Sequence, residues 1–214
     1  MSLIPSEEPA RPAGPARRDR YHHGDLGPAL VDTAIELIAE RGVRGFSLAE
    51  ASRRLGVTVA APYRHFANRD DLLAAVAIRA FGVFAARLAA AVDEDARPAE
   101  QLAAMAGVYV RFAAEQRALF DVLFGAGLDK SKYPDLRSAA EPVLEMFLAP
   151  VRILCDGDLE AVDDLVMAVS ATTHGHAALL RDGAFGTGPE AAGAAESRAA
   201  RATAALIAGR AAMR

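Results

Sequence analysis

Apolar residues along this chain recur every three or four positions, and no stretch shows the alternation of a half-buried strand. The pattern predicts helices throughout. A first helix covers about 25–41, where Leu26, Leu30, Thr33, Ala34, Leu37 and Ile38 share a face and Gly42 stops it. Ser47 with Glu50 is a capping box: the Ser hydroxyl takes the N3 amide, and the Glu side chain returns to the Ser47 amide. Leu48, Ala51 and Leu55 then line a short second helix that Gly56 ends in a left-handed turn. Thr58 is an N-cap for a third helix, limited to about two turns because Asn68 and Asp71 repeat the capping pattern. Leu72, Leu73, Val76, Ala80, Phe84 and Leu88 mark a long fourth helix that ends near 93–96. Pro98 opens a fifth, with Leu102, Met105, Tyr109 and Phe112 inward. A short apolar helix over 117–124 and a loop over 125–134 follow. The next helix, about 135–155, must be kinked or divided by Pro142 and Pro150. A long helix spans about 158–182. After the GAFGTGP turn, Thr187 with Glu190 caps an Ala-rich last helix that runs to about 212.

Composition agrees with an all-α fold. Alanine is very frequent, β-branched residues are few, and 52% of the 214 residues are apolar, enough for a sizeable core. Residues 1–20 are rich in Pro, Ala and Arg and read as a disordered arm. The single cysteine, Cys155, rules out an internal disulfide and suits a reducing cytoplasm. No run approaches the roughly 20 apolar residues of a membrane span, and the N-terminus does not read as a signal peptide. The net charge is −4, but its distribution is uneven. Residues 1–80 carry 11 Arg and Lys against 10 Asp and Glu, a net of +1; residues 81–214 carry 13 against 18, a net of −5. A nucleic acid senses the local patch, and Arg17 and Arg18 before the first helix, with Arg64 and Arg69 beyond the second, make one.

The two capping boxes either side of the Gly56–Val57 turn have the spacing of a helix-turn-helix, which presents one short helix to the major groove of DNA. At this point the chain resembles a known family. From YHHGDL, through a first helix ending in RG, to GVTVAAPYRHFANRDDLL, residues 21–77 resemble the DNA-binding domain of TetR-family transcriptional regulators. The AAPYRHF wording and the later His174–Gly175 pair resemble the subgroup with a WHG-type C-terminal domain, although the chain has no tryptophan and Ser170 stands where that subgroup often has one. The resemblance implies that Thr58, Tyr63, His65 and Arg69 hold phosphates while Val59, Ala60 and Arg64 lie nearest the bases. Ser47, Arg17 and Arg18 complete the DNA-facing set. Of the base-facing residues, Arg64 alone has the hydrogen-bonding power to read guanine, and Val59 and Ala60 suit thymine methyls.

In the C-terminal half, Leu159, Val166, Thr173 and Leu180 are seven apart, interleaved with Val162, Val169 and His176. That is a coiled-coil-like seam. It is open to two readings, a contact within the subunit or one between subunits. The resemblance implies the second, a dimeric four-helix bundle made with the last helix and its Leu206. His174 and His176 lie about 200° apart around a helix and cannot chelate one ion. His174 instead borders an inner cavity expected among Met105, Tyr109, Phe120, Phe124 and Phe147, apolar and aromatic walls suited to a small effector. No phosphate loop, nucleophile elbow or zinc spacing is present, so the sequence predicts no enzyme, metal or cofactor.

The sequence therefore predicts an all-α, homodimeric, cytoplasmic regulator. A three-helix helix-turn-helix domain over 21–80 follows the arm, and a helical bundle over 81–214 serves effector binding and dimerisation. By resemblance it is a repressor released from operator DNA by a small apolar or aromatic ligand. Two alternatives stand: a DNA-binding regulator with no small-molecule effector, or a helical protein of this family that has lost DNA binding.

Overall fold

Side-chain caps and first-turn prolines mark where most helices of this chain begin. The computed structural model describes residues 26–210, and among these the chain forms eight α-helices and no strand. They are α1 (Leu26–Arg41), α2 (Leu48–Leu55), α3 (Arg69–Ala91), α4 (Pro98–Glu115), α5 (Arg117–Gly125), α6 (Pro134–Leu154), α7 (Leu159–Arg181) and α8 (Pro189–Gly209). At α2 the Ser47 hydroxyl accepts the Glu50 amide at 3.2 Å. The return half of the expected box is replaced, since the Glu50 carboxylate pairs with Arg53 at 2.5 Å and Arg41 at 3.5 Å. Gly56 ends α2 with φ of 69°, as the turn requires. At α3 the exchange is reciprocal but shifted by one residue. Asn68 Oδ1 accepts the Asp71 amide at 3.0 Å, and Asp71 Oδ2 accepts the Ala67 amide at 3.1 Å.

Three expectations are corrected. The third helix contracts to a single 3-10 turn, Pro62–Arg64. Pro62 has no amide to close an α-turn onto Thr58, whose carbonyl bonds the Ala61 amide at 3.0 Å instead. Of the kink or division expected at Pro142 and Pro150, the division does not occur: helix α6 is continuous through both. Each proline removes one backbone bond, but Leu136, Val143, Pro150 and Val151 are buried against the bundle and hold the helix together. The cap of α8 is Gly188 with Pro189 in the first turn, and Thr187 lies outside it.

Helix α3 occupies the centre and packs on α1, α4, α5 and α6. It is long and apolar enough by composition to cross a membrane, yet half of that window is buried inside the fold. One continuous core runs from Leu26 to Ile207, with Leu72, Leu73, Phe84, Leu88, Leu102 and Phe112 among its largest buried side chains. Helix α4 lies close along α8, where a Cβ on Gly107 would stand 3.2 Å from Glu196 Cγ.

Arg69 has a structural role that its sequence position did not suggest. Its Nε donates to the Phe46 carbonyl at 3.2 Å, Nη2 donates to the Val43 carbonyl, and the guanidinium lies over the Phe46 ring. These bonds clamp the α1–α2 turn to the start of α3. Arg69→Met is expected to cost about 1–3 kcal/mol of stability in urea unfolding. Unchanged stability combined with weakened DNA binding would return Arg69 to the phosphate role.

Candidate nucleic-acid interface and effector region

The turn after α2 is held out from the body by its neighbours. Arg54 makes two bonds of 2.7 Å to the Glu40 carboxylate and so pins α2 on α1. Gly56 reverses the chain, and Thr58, Val59, Ala60, Tyr63, Arg64 and His65 all emerge exposed, while Pro62 beneath them is buried. Val59 is 54% exposed and Tyr63 55%, unusual for side chains of their size without a covering partner. Arg64 makes no ion pair among the described residues, which leaves its guanidinium available. Ser47 sits at the cap of α2. Arg17 and Arg18 lie outside the described residues. Six of the ten DNA-facing candidates therefore share one exposed segment, while Arg69, at the start of α3, is partly exposed and bonds backbone carbonyls of the α1–α2 turn.

Directly behind this segment is a polar joint that sequence reading missed. Asp71, through Oδ2, holds the Ala67 amide; through Oδ1 it accepts the Tyr133 hydroxyl at 3.2 Å. Burial, and then the Asp71 carboxylate, raise the Tyr133 pKa, so the phenol stays protonated and donates. Nothing local in the sequence marks a contact that spans 62 positions.

The effector candidates are brought together in part. Tyr109, Phe120, Phe124 and His174 form one aromatic cluster beside the fully buried Met105. Tyr109 meets Phe120 edge-on at 5.5 Å, Phe120 meets Phe124 at 4.7 Å, and His174 stacks on Phe120 at 5.8 Å. Tyr109 Oη lies 2.8 Å from His174 Nδ1. Burial pushes the Tyr109 pKa well above its ordinary value, so the hydroxyl keeps its proton in this contact. Ring meets ring throughout this cluster, with Phe124 and His174 exposed at its rim. Phe147 is half-buried on α6 and makes none of these ring contacts. Arg111 is bonded to Glu196 on α8 at 2.9 Å.

The seam on α7 divides. Val162, Val169 and Thr173 are buried within the subunit, where α7 packs on α4, α6 and α8, and they cannot face a second copy. Val166, Leu180, Leu206 and His176 are half-buried, with His176 stacked on Phe185 at 6.2 Å and its Nδ1 2.7 Å from the Thr172 carbonyl. Leu159 is 79% exposed, and so is 67% of Met167, which the seven-residue spacing passed over. A heptad reads the same whether its partner is another subunit or a neighbouring helix of the same one.

Comparison with known proteins gives two family matches. Residues 30–76 match bacterial regulatory proteins of the tetR family, and residues 102–206 match the tetracyclin repressor-like C-terminal domain. The chain is 31% identical over 149 residues to the tetracycline repressor protein class C of Escherichia coli, a match covering 69% of this chain and 62% of that protein. It is 31% identical over 90 residues to the HTH-type transcriptional regulator BetI of Rhizobium meliloti (strain 1021), covering 42% of this chain and 43% of that one. The chain thus spans less than two thirds of the length of these curated relatives. A solved protein of unknown function from Rhodococcus sp. RHA1 is 30% identical, with a TM-score of 0.68 over 86% of this chain and 98% of that one.

The two faces of α7 should respond differently to charge. Val169→Glu places an unpaired carboxylate in the subunit core and is expected to abolish the cooperative thermal transition followed by circular dichroism. Met167→Glu, on the exposed face, is expected to keep the helical spectrum intact. A normally folded Val169→Glu variant would contradict the observed orientation of the helix.

Proposed function

This chain belongs to the TetR family of bacterial regulatory proteins, and on that premise we propose that it is a DNA-binding transcriptional regulator. It is a cytoplasmic homodimeric repressor, relieved by a small apolar or aromatic molecule. Residues 21–80 read DNA; residues 81–214 carry the effector site and the dimer contact. The observation that carries this reading is the exposed run from Thr58 to His65, with Val59, Tyr63 and Arg64 uncovered and Arg64 unpaired among the described residues. Arg64 reads a guanine edge through two parallel bonds, and Val59 and Ala60 meet thymine methyls. Thr58, Tyr63 and His65 contact phosphates and set the register.

A two-fold operator calls for a two-fold protein. The exposed Leu159 and Met167 of α7, with the small exposed Ala204, Ala205 and Ala208 of α8, supply an apolar face that two copies close by packing helix pairs together. Effector binding then favours a dimer whose two reading segments no longer match successive major grooves. The close-packed rings around Tyr109 and Phe120 favour a second reading, a regulator of the same class that takes no effector at that place.

Fluorescence anisotropy on a duplex selected from random sequence tests the DNA reading. Affinity is expected to fall by orders of magnitude as salt rises from about 50 to about 200 mM. Arg64→Ala should relax sequence preference, whereas Tyr63→Phe should weaken all sequences about equally. A salt-insensitive affinity would refute the electrostatic basis. In sedimentation, the chain is expected to run as a dimer and Met167→Glu as a monomer; a Met167→Glu dimer places the interface elsewhere.

A further inference from the structure

Residues 126–133, which join α5 to α6, meet α3 at two points, near its start and near its middle. One is the Tyr133 bond to Asp71; the other is the Lys130 ammonium, 5.6 Å from the centre of the Phe81 ring. Between this segment, α3, the end of α5 and the start of α6 lies a cavity of about 270 Å³. Phe81, Leu123, Phe124, Leu128 and Leu136 line it with apolar side chains, but it opens to solvent on one side, where Phe124 and Lys130 are exposed, and about half of its accessible lining is polar. Lys130 is the one charged residue that lines it. Lys132 beside it pairs with Asp129 at 3.6 Å, whereas Lys130 has no carboxylate partner among the described residues. Phe124 also belongs to the Tyr109 cluster, so the cavity abuts the aromatic core without lying inside it.

We propose that this cavity is a ligand site, and that it takes a small apolar or aromatic monocarboxylate. The alkyl or aryl body fills the space against Phe81, Leu123 and Leu136, and the carboxylate pairs with the Lys130 ammonium. The single cation at the rim, Lys130, matches a single negative charge on a ligand whose apolar body lies against these side chains. The consequence for DNA rests on the regulator reading above. A ligand seated here displaces the 126–133 segment and draws Tyr133 from Asp71. Asp71 also holds the Ala67 amide, directly behind the exposed reading segment. The Tyr133–Asp71 bond therefore links an occupied cavity to a changed presentation of Val59, Tyr63 and Arg64.

Benzoate, cyclohexanecarboxylate and hexanoate are the probes, with benzyl alcohol as the neutral counterpart. Calorimetry and melting temperature on the full chain without DNA separate this test from the DNA-reading proposal. At least one carboxylate is expected to bind and raise the melting temperature, with benzyl alcohol weaker by about tenfold or more. Lys130→Met is expected to remove the preference for the charged ligand, and Leu128→Trp, which fills the cavity from a half-buried position, to abolish binding. The site assignment is overturned if none of the three carboxylates binds, or if binding survives both variants unchanged. On operator DNA the bound carboxylate is expected to weaken affinity, and Tyr133→Phe to reduce that response by at least about threefold. A full response in Tyr133→Phe overturns the linkage and leaves the site assignment to the calorimetry.

Discussion

Both halves of this molecule are built on one apolar helix. Nine of the 23 residues of α3 are buried, among them Leu72, Leu73, Val76, Ala80, Phe84 and Leu88. A helix so broadly apolar must be covered on several sides. Helix α1 covers one side for the N-terminal half; α4, α5 and α6 cover the others for the C-terminal half. The exposed segment 58–65 hangs from the N-terminus of α3, and the aromatic cluster lies against its far half through Phe84, 5.6 Å from Tyr109. Neither half can be repacked without moving a helix that the other shares.

The polar contacts concentrate where that helix begins. Arg69 clamps the carbonyls of the preceding turn, Asn68 caps the first amides, and Asp71 holds both Ala67 and Tyr133. Four consecutive residues, 68–71, thus carry capping, fold and inter-segment contacts, with Asp70 paired to Arg69. Charged hydrogen bonds to fixed backbone groups hold direction as well as distance. The exposed segment can therefore be short, a single 3-10 turn, and still be aimed, because both of its ends are fixed by neighbours rather than by its own helix.

Small side chains do related work in the C-terminal half. The approach of α4 to α8 at Gly107 brings Arg111 within reach of Glu196, so a close backbone contact and an ion pair reinforce each other. Arg181 joins the rings to the surface in the same manner: it pairs with Asp121 at 2.6 Å while lying over the Phe120 ring.

By itself the sequence determined the all-α class, most of the places where helices start and stop, and the exposed segment after α2. Those features depend on local chemistry: Ser47 and Asn68 accept amides within a turn of themselves, Pro98 lacks the amide that a first turn leaves unpaired, and Gly56 answers a backbone angle. Even there, Pro62 shortened a helix whose flanking caps promised two turns, because a missing amide outweighs a cap at such short length. Tertiary structure alone decided which partner each side chain found. The heptad of α7 was legible, but Val169 turned to its own subunit and Met167 to solvent. Tyr109, Phe120 and His174 were legible as neighbours, but they met ring to ring. Arg69 was read as a phosphate ligand, but its bonds to the Phe46 and Val43 carbonyls left no trace in its own segment, nor did the Tyr133–Asp71 bond in either of its two. Periodicity records that a face is apolar, and a cap records its own turn. What covers the face, or answers a charge many residues away, is settled only when the helices pack.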